Sequence, residues 1–322
     1  MSEQALGSGR SRVEHNSWRA EPGGSHQVHN TTVDLLDDTA LEAAAEAITP
    51  LPAATSRLLA AASAPDVPVG TIVEIVQYDP GLTAALLGQA NSAHSIVVRR
   101  ITSVHDAVVR LGLDTVVTVA MRTSVAASMA EDLTLYDIDG GRAYRHAVLS
   151  AVAGEVLRAG YPARVPPITP TVALLHDIGK FVLSKAVGTR AVELVSVLAA
   201  ADGRPRHEIE TEVFGLHHGQ AGRFVINKWR LPTSFLEGIV NHHGDLETPS
   251  MFARSVQLAD EIAHAADALL DHVEGEPPVT GPCDRPLLVA AAASLGIDAA
   301  ALDALTEQTA ERFEAIAALL AV

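Results

Sequence analysis

Apolar residues recur at helical spacing from Leu41 onward, and no segment of the 322-residue chain reads as a convincing strand. Leu51-Pro52 opens a segment that runs through Leu58, Leu59 and Ala62, and Pro65-Asp66-Val67-Pro68 breaks it. Val69 to Tyr78 carries apolar residues at 69, 72, 73 and 76, which is helical spacing. Asp79-Pro80 restarts a helix to about Asn91, with Asp79 as N-cap and Pro80 in the first turn. Ser103 caps the next helix, Gly112 is its natural stop, and Asp114 begins another that extends to about Met129. Further on, helices are expected at about Gly141–Ala159, from Pro170 to the His176-Asp177 doublet, and from Arg206 without a break to Trp229. Leu231-Pro232 and Pro249-Ser250 open two more. Residues 287–321 read as two Ala/Leu-rich helices, packed either on the main body or on a partner.

Two stretches lack this periodicity. Residues 1–38 are rich in Ser, Gly, His, Asn and Glu and read as a disordered tail, so His26 and His29 are taken as solvated. Residues 273–286 are rich in Pro and Gly and read as a linker. Aromatic residues make up only 4% of the chain while Ala, Leu and Val dominate, which favours helices packed on helices in an all-α fold.

The formal charge is −16. Such a surface repels nucleic acid, and no basic stripe offsets it, so direct DNA or RNA binding is not expected. The single cysteine, Cys283, excludes an internal disulfide and fits a reducing cytoplasm. No apolar run is long enough to cross a bilayer, and the polar N-terminus lacks the apolar core of a signal peptide.

The chemistry is concentrated in one ordered set: His146, then His176-Asp177-Ile178-Gly179-Lys180, His217-His218, His242-His243 and Leu258-Ala259-Asp260. Imidazole and carboxylate are the ligands of Zn, Mn and Fe sites. Adjacent helical residues point about 100° apart, so His176 and Asp177 can share one ion only near a helix end. His146 and Asp260 are the natural further ligands of that ion. Asp177 can bridge to a second ion held by His218 and by His242 or His243, and paired ions clamp both attacking and leaving oxygens of a phosphoester. Lys180 lies where its ammonium could meet a phosphate or a developing charge. His217, His264 and His272 are read as hydrogen-bonded core or surface residues, with His264 a weak ligand candidate because it shares a helix face with Asp260. No phosphate-binding Gly-rich loop with Lys-Ser/Thr, nucleophile elbow or Cys-x-x-Cys is present.

These residues resemble the HDOD domain, a bacterial relative of the HD metal-dependent phosphohydrolases. In the first half the resemblance rests on Leu51-Pro52, Asp79-Pro80-Gly81-Leu82-Thr83-Ala84, Ala90-Asn91-Ser92-Ala93, Ser103 through Ala107 and Leu111-Gly112. In the second it rests on Leu174 through Lys180, His218 with Gly222, Trp229 with Leu231-Pro232, and His242-His243. The resemblance implies an all-helical fold with two lobes, here residues 41–135 and 140–272 of an HDOD domain spanning 41–272, followed by C-terminal helices at 287–322. It also implies a role in bacterial signalling or regulation, exercised through signalling or regulatory proteins, with a nucleotide as a candidate ligand. Many HDOD domains have lost metal ligands. Here His146, His176, Asp177, His218, His242, His243 and Asp260 all fall where the HD superfamily places them, so one or two ions of Fe, Mn or Zn are expected. Two departures stand out. The Gly-Tyr-Pro loop of cyclic-di-GMP phosphodiesterases is absent after His243, so that activity is not expected. His94-Ser95 replaces a Tyr-Gly or similar pair. The reading taken forward is an interaction module with a metal-binding HD-type site. The alternative is a metal-dependent phosphohydrolase acting on a nucleotide or other small phosphoester, with Asp177 and Lys180 in the chemistry.

Overall fold

The computed structural model describes residues 36–64, 66–92, 100–188, 204–243, 250–270 and 285–320. The expectations for the tail with His26 and His29, for His94-Ser95, for the segment after His243, and for His272 and Cys283 lie outside the described residues. Regular structure among the described residues is helical, apart from a 3₁₀ turn at Thr134–Tyr136 and one antiparallel bridge between Leu133 and Ile138. The fold is all-α, as the periodicity predicts.

The first five helices are α1 (Asp38–Glu46), α2 (Ala53–Ala62), α3 (Val69–Val76), α4 (Pro80–Ala90) and α5 (Val104–Met129). Their starts follow from local chemistry. The Asp79 carboxylate accepts from the Leu82 N–H at 2.9 Å, and the Ser103 hydroxyl accepts from the Asp106 N–H at 3.0 Å. Gly112, the expected stop, has φ 76° and breaks α5 into two segments across a kink. Helices α2 to α5 enclose a small aliphatic core that includes Leu58, Ile72, Val76, Leu86 and Val116. Helix α1 behaves differently. Although it begins the first lobe in the sequence, Leu41, Ala44 and Ala45 join the larger core and pack against the second lobe.

That second lobe comprises α6 (Gly140–Gly160), α7 (Thr169–Leu175), α8 (Ile178–Val187), α9 (Arg206–Phe214), α10 (His218–Lys228), α11 (Ser234–Val240) and α12 (Met251–Leu270). Every residue of α6 from His146 to Leu157 is buried, as expected of a helix surrounded by others. Helices α13 (Arg285–Ser294) and α14 (Ala299–Leu320) pack on the body rather than standing apart. Leu302, Leu305 and Phe313 enter the large core, and Arg164 donates to the carbonyls of Leu295 and Gly296 at 2.7 and 3.1 Å. No single helix among the described residues is long and apolar enough to cross a membrane.

One expected helix is two. The run from Arg206 to Trp229 breaks at Gly215, whose φ of 77° is left-handed and suits a residue without a Cβ. His217 then caps α10: its Nδ1 accepts from the Gly219 N–H at 3.1 Å, while its own N–H donates to Gln220 Oε1 at 3.1 Å. The break sets His218 at the first position of α10, turned inward. Close packing of α8 on α10 completes the arrangement. A Cβ on Gly179 would lie 1.8 Å from the His218 carbonyl oxygen, so only glycine lets the two helices meet there.

Candidate metal centre

Three helices and two helix ends deliver the chemical side chains to one place. His146 comes from the middle of α6, and Asp260 and His264 come from successive turns of α12. His176 ends α7 and Asp177 precedes α8, so the doublet sits at a break between two helices. That break resolves the angular problem of adjacent ligands. His176 Nε2 and Asp177 Oδ2 are 3.4 Å apart. His218 opens α10, and His242-His243 follow the end of α11.

The ligand atoms form two adjoining groups joined by Asp177. On one side His146 Nε2 lies 3.4 Å from His176 Nε2, 3.0 Å from Asp260 Oδ1 and 3.8 Å from Asp177 Oδ2. His176 Nε2 is 3.3 Å from Asp260 Oδ1. On the other side His218 Nε2 lies 3.1 Å from Asp177 Oδ1, 3.3 Å from His242 Nε2 and 2.8 Å from His243 Nε2. The sequence left His242 and His243 as alternatives, and the structure brings both to His218. His264 Nε2 approaches Asp260 Oδ1 at 3.4 Å and extends the first group.

The outer nitrogens show what these groups suit. His176 Nδ1 is 2.7 Å from the Ala173 carbonyl, and His242 Nδ1 is 2.6 Å from the Ile239 carbonyl. His218 Nδ1 is 2.7 Å from Glu210 Oε2, which also accepts the His218 backbone N–H at 2.7 Å. A carbonyl or carboxylate can only accept, so each Nδ1 carries the hydrogen. In its neutral form each such ring turns the bare lone pair of Nε2 toward the centre. Lone pairs facing each other at hydrogen-bond distance repel unless a cation or proton lies among them. The donor set therefore fits a divalent metal, with ring orientation fixed as metal-ligating histidines require.

Electrostatics agree. Burial, then the neighbouring imidazoles, push His242 and His243 well below the usual histidine range, which keeps them neutral. Burial alone would raise Asp177, but His176, Lys180 and His218 outweigh it and hold its carboxyl well below the usual range. Asp260 is held down in the same way by His176 and His264 against burial. For His176, burial pulls down, yet Asp177 and Asp260 prevail and lift it to about 10.

Lys180 does not project freely. Its ammonium donates to Asp177 Oδ2 at 2.6 Å and also lies 5.9 Å from the Tyr136 ring. His217 is the buried cap of α10, in keeping with a hydrogen-bonded core reading. Two participants were not read from the sequence as part of the site. Glu210 is fully buried and anchors His218, whereas the sequence placed it with Glu208 and Glu212 near a helix start. Its neighbours Ile209 and Val213 are buried and apolar, which was the available signal. His207 stacks on His243 with ring centres 4.1 Å apart, and nothing in the local sequence marked it.

Comparison with known proteins agrees with the fold. The family model of the HDOD domain matches residues 48–244. An HDOD domain protein of unknown function from Geobacter sulfurreducens superposes with TM-score 0.63 at 21% identity, covering 88% of this chain and 99% of that one. A presumed phosphohydrolase from Shewanella amazonensis SB2B gives TM-score 0.59 at 25% identity, covering 87% and 98%. A presumed signal transduction protein from Marinobacter aquaeolei VT8 gives 0.61 at 20% identity, covering 88% of this chain and 64% of that one. An uncharacterised protein of Treponema pallidum (strain Nichols) is 25% identical over 239 residues, 71% of this chain; the match spans 45% of that longer protein.

Proposed function

The chain belongs to the HDOD domain family, and from that premise we propose that it holds a two-ion HD-type metal centre that hydrolyses a small phosphoester, nucleotides included. One observation carries this reading: Asp177 reaches both ligand groups at once, with Oδ2 toward His146 and His176 and Oδ1 toward His218. A vestigial pocket has no need of a carboxylate that spans two sets of imidazoles. The histidine and carboxylate set suits Fe, Mn or Zn. His146, His176, Asp177 and Asp260 would hold one ion, with His264 alongside. Asp177, His218, His242 and His243 would hold the other.

When bound, such a pair supplies a Lewis acid and an activated water at neutral pH. The chain's own groups prepare the site for it. Glu210 and the carbonyls of Ala173 and Ile239 fix the rings. His242 and His243 stay neutral and offer lone pairs. Lys180 neutralises Asp177 and would be available to a phosphate once metal takes over that carboxylate. The test is metal content of protein purified without chelator, together with hydrolysis of bis(p-nitrophenyl) phosphate. About two equivalents of metal and measurable turnover are expected, both lost in Asp177→Ala with helical circular dichroism unchanged. Turnover that survives in Asp177→Ala would end the proposal.

A second reading, in which the first lobe engages signalling or regulatory proteins, draws on a separate observation. Tyr78 is 81% exposed and Val109 60% exposed, both on the lobe that carries no ligand. In this reading the metal centre acts as the sensing element and the first lobe as the contact surface.

A further inference from the structure

A second polar cavity lies outside the metal centre, between α4, α5 and α14. It measures about 380 Å³, and its walls include Gln89, Ser92, Arg110, Thr115, Arg312 and Ile316. That volume is within the range of sites that take small molecules. No carboxylate lines it, although the chain carries 39 Asp and Glu against 23 Lys and Arg. Behind the wall stands Arg122, whose side chain is buried. Its Nη2 donates to Gln89 Oε1 at 3.1 Å, and its Nε is buried with no hydrogen-bond partner among the described residues.

The polarity of the cavity follows from these contacts. Gln89 is itself buried and its oxygen is committed to Arg122, so the amide N–H pair is the end left for the cavity. Arg312 donates through one Nη2 to Glu155 Oε2 at 2.8 Å, which leaves further N–H groups on its fork. Glu155 is ion-paired with Arg312 and also acts electrostatically on Arg122. Arg110 is exposed at the cavity wall and has no ion pair among the described residues. Two guanidinium groups, Arg110 and Arg312, and no carboxylate stand in the cavity's own walls, which gives it a positive lining in a strongly acidic protein.

From this arrangement we infer that the cavity between α4, α5 and α14 is a binding site for a small phosphate-bearing anion. Guanidinium forks match phosphate oxygens bidentately, and the surplus charge suits a dianion better than a single carboxylate. Ser92, Thr115 and the Gln89 amide add neutral donors, and Ile316 supplies an apolar wall for the rest of the molecule. The site brings together the kinked α5 and the C-terminal α14, so an occupant would tie the first lobe to the C-terminal helices. It is independent of the metal centre and stands or falls separately from it.

The test is calorimetric titration of the full chain with inorganic phosphate and with AMP, using adenosine as the uncharged control. Binding of at least one of the two phosphates is expected, weakened about tenfold or more in Arg110→Gln. It should persist in Asp177→Ala and be absent for adenosine. Arg110 is at the surface, so its variant folds, which unchanged circular dichroism and metal content would verify. Three results would overturn the inference: no binding of either phosphate at millimolar concentration, equal binding by Arg110→Gln, or loss of binding in Asp177→Ala, which would place the anion at the metal centre.

Discussion

The two hydrophobic cores among the described residues solve different problems, both with packed helices. The small core among α2 to α5 is aliphatic throughout, from Leu58 to Ala120, and close packing of apolar side chains holds it. The large core surrounds His146, His176, His218, His242, Asp260 and Glu210, all buried. Burying such groups is costly unless each finds a partner, and here they partner one another around a shared centre. The comparison separates what is built to hold together from what is built to hold something. It also predicts that the two regions respond to different perturbations.

Gly179→Ala should break the second region most severely. The new Cβ would meet the His218 carbonyl at 1.8 Å and the Gly222 nitrogen at 2.6 Å, and backbone cannot step aside as a side chain can. A loss of at least about 3 kcal/mol is expected, at or beyond the upper end for overpacking, along with loss of metal. Denaturant titration and metal analysis check this; full metal content in a stable variant would show that α8 and α10 need not touch. Leu86→Ala is the counterpart in the aliphatic core. Leu86 is fully buried, so its truncation should cost about 2–5 kcal/mol. Metal stoichiometry should stay unchanged at temperatures where the variant is folded. A change in stoichiometry would mean that the two cores are coupled more closely than their separate packing implies.

Much of this division was legible before the fold was known. Capping by Asp79 and Ser103 and the stop at Gly112 depend on neighbouring residues only, so local chemistry was enough to place them. The spacing of His146, the His-Asp doublet, His218, His242-His243 and Asp260 likewise pointed to residues that the structure brings together. What escaped depends on distance in space. The break at Gly215 was hidden because apolar positions continue through Phe214 and Leu216, so the helical period carries across it. Packing of α1 on the second lobe is a long-range contact that no local pattern encodes. Glu210 was read as one of three acidic residues favourably placed near a helix start, since its partner His218 lies beyond the break that was not foreseen.

Glu210 gives the finest probe of the comparison, because it touches only one of the two ligand groups. Its Oε2 receives both the ring Nδ1–H and the backbone N–H of His218, while the His146 and Asp260 side of the centre has no contact with it. Glu210→Gln keeps an acceptor oxygen but removes the charge that makes the His218 ring a stronger donor. Loss of such an outer partner lowers metal affinity by about 10- to 100-fold. The effect should fall on the ion held by His218, His242 and His243 and spare the other. A metal titration of the variant should therefore show one tight equivalent and one weakened, with helical content unchanged. Equal weakening of both would mean that Asp177 couples the two groups into a single site, and undiminished binding of both would remove Glu210 from the metal centre altogether.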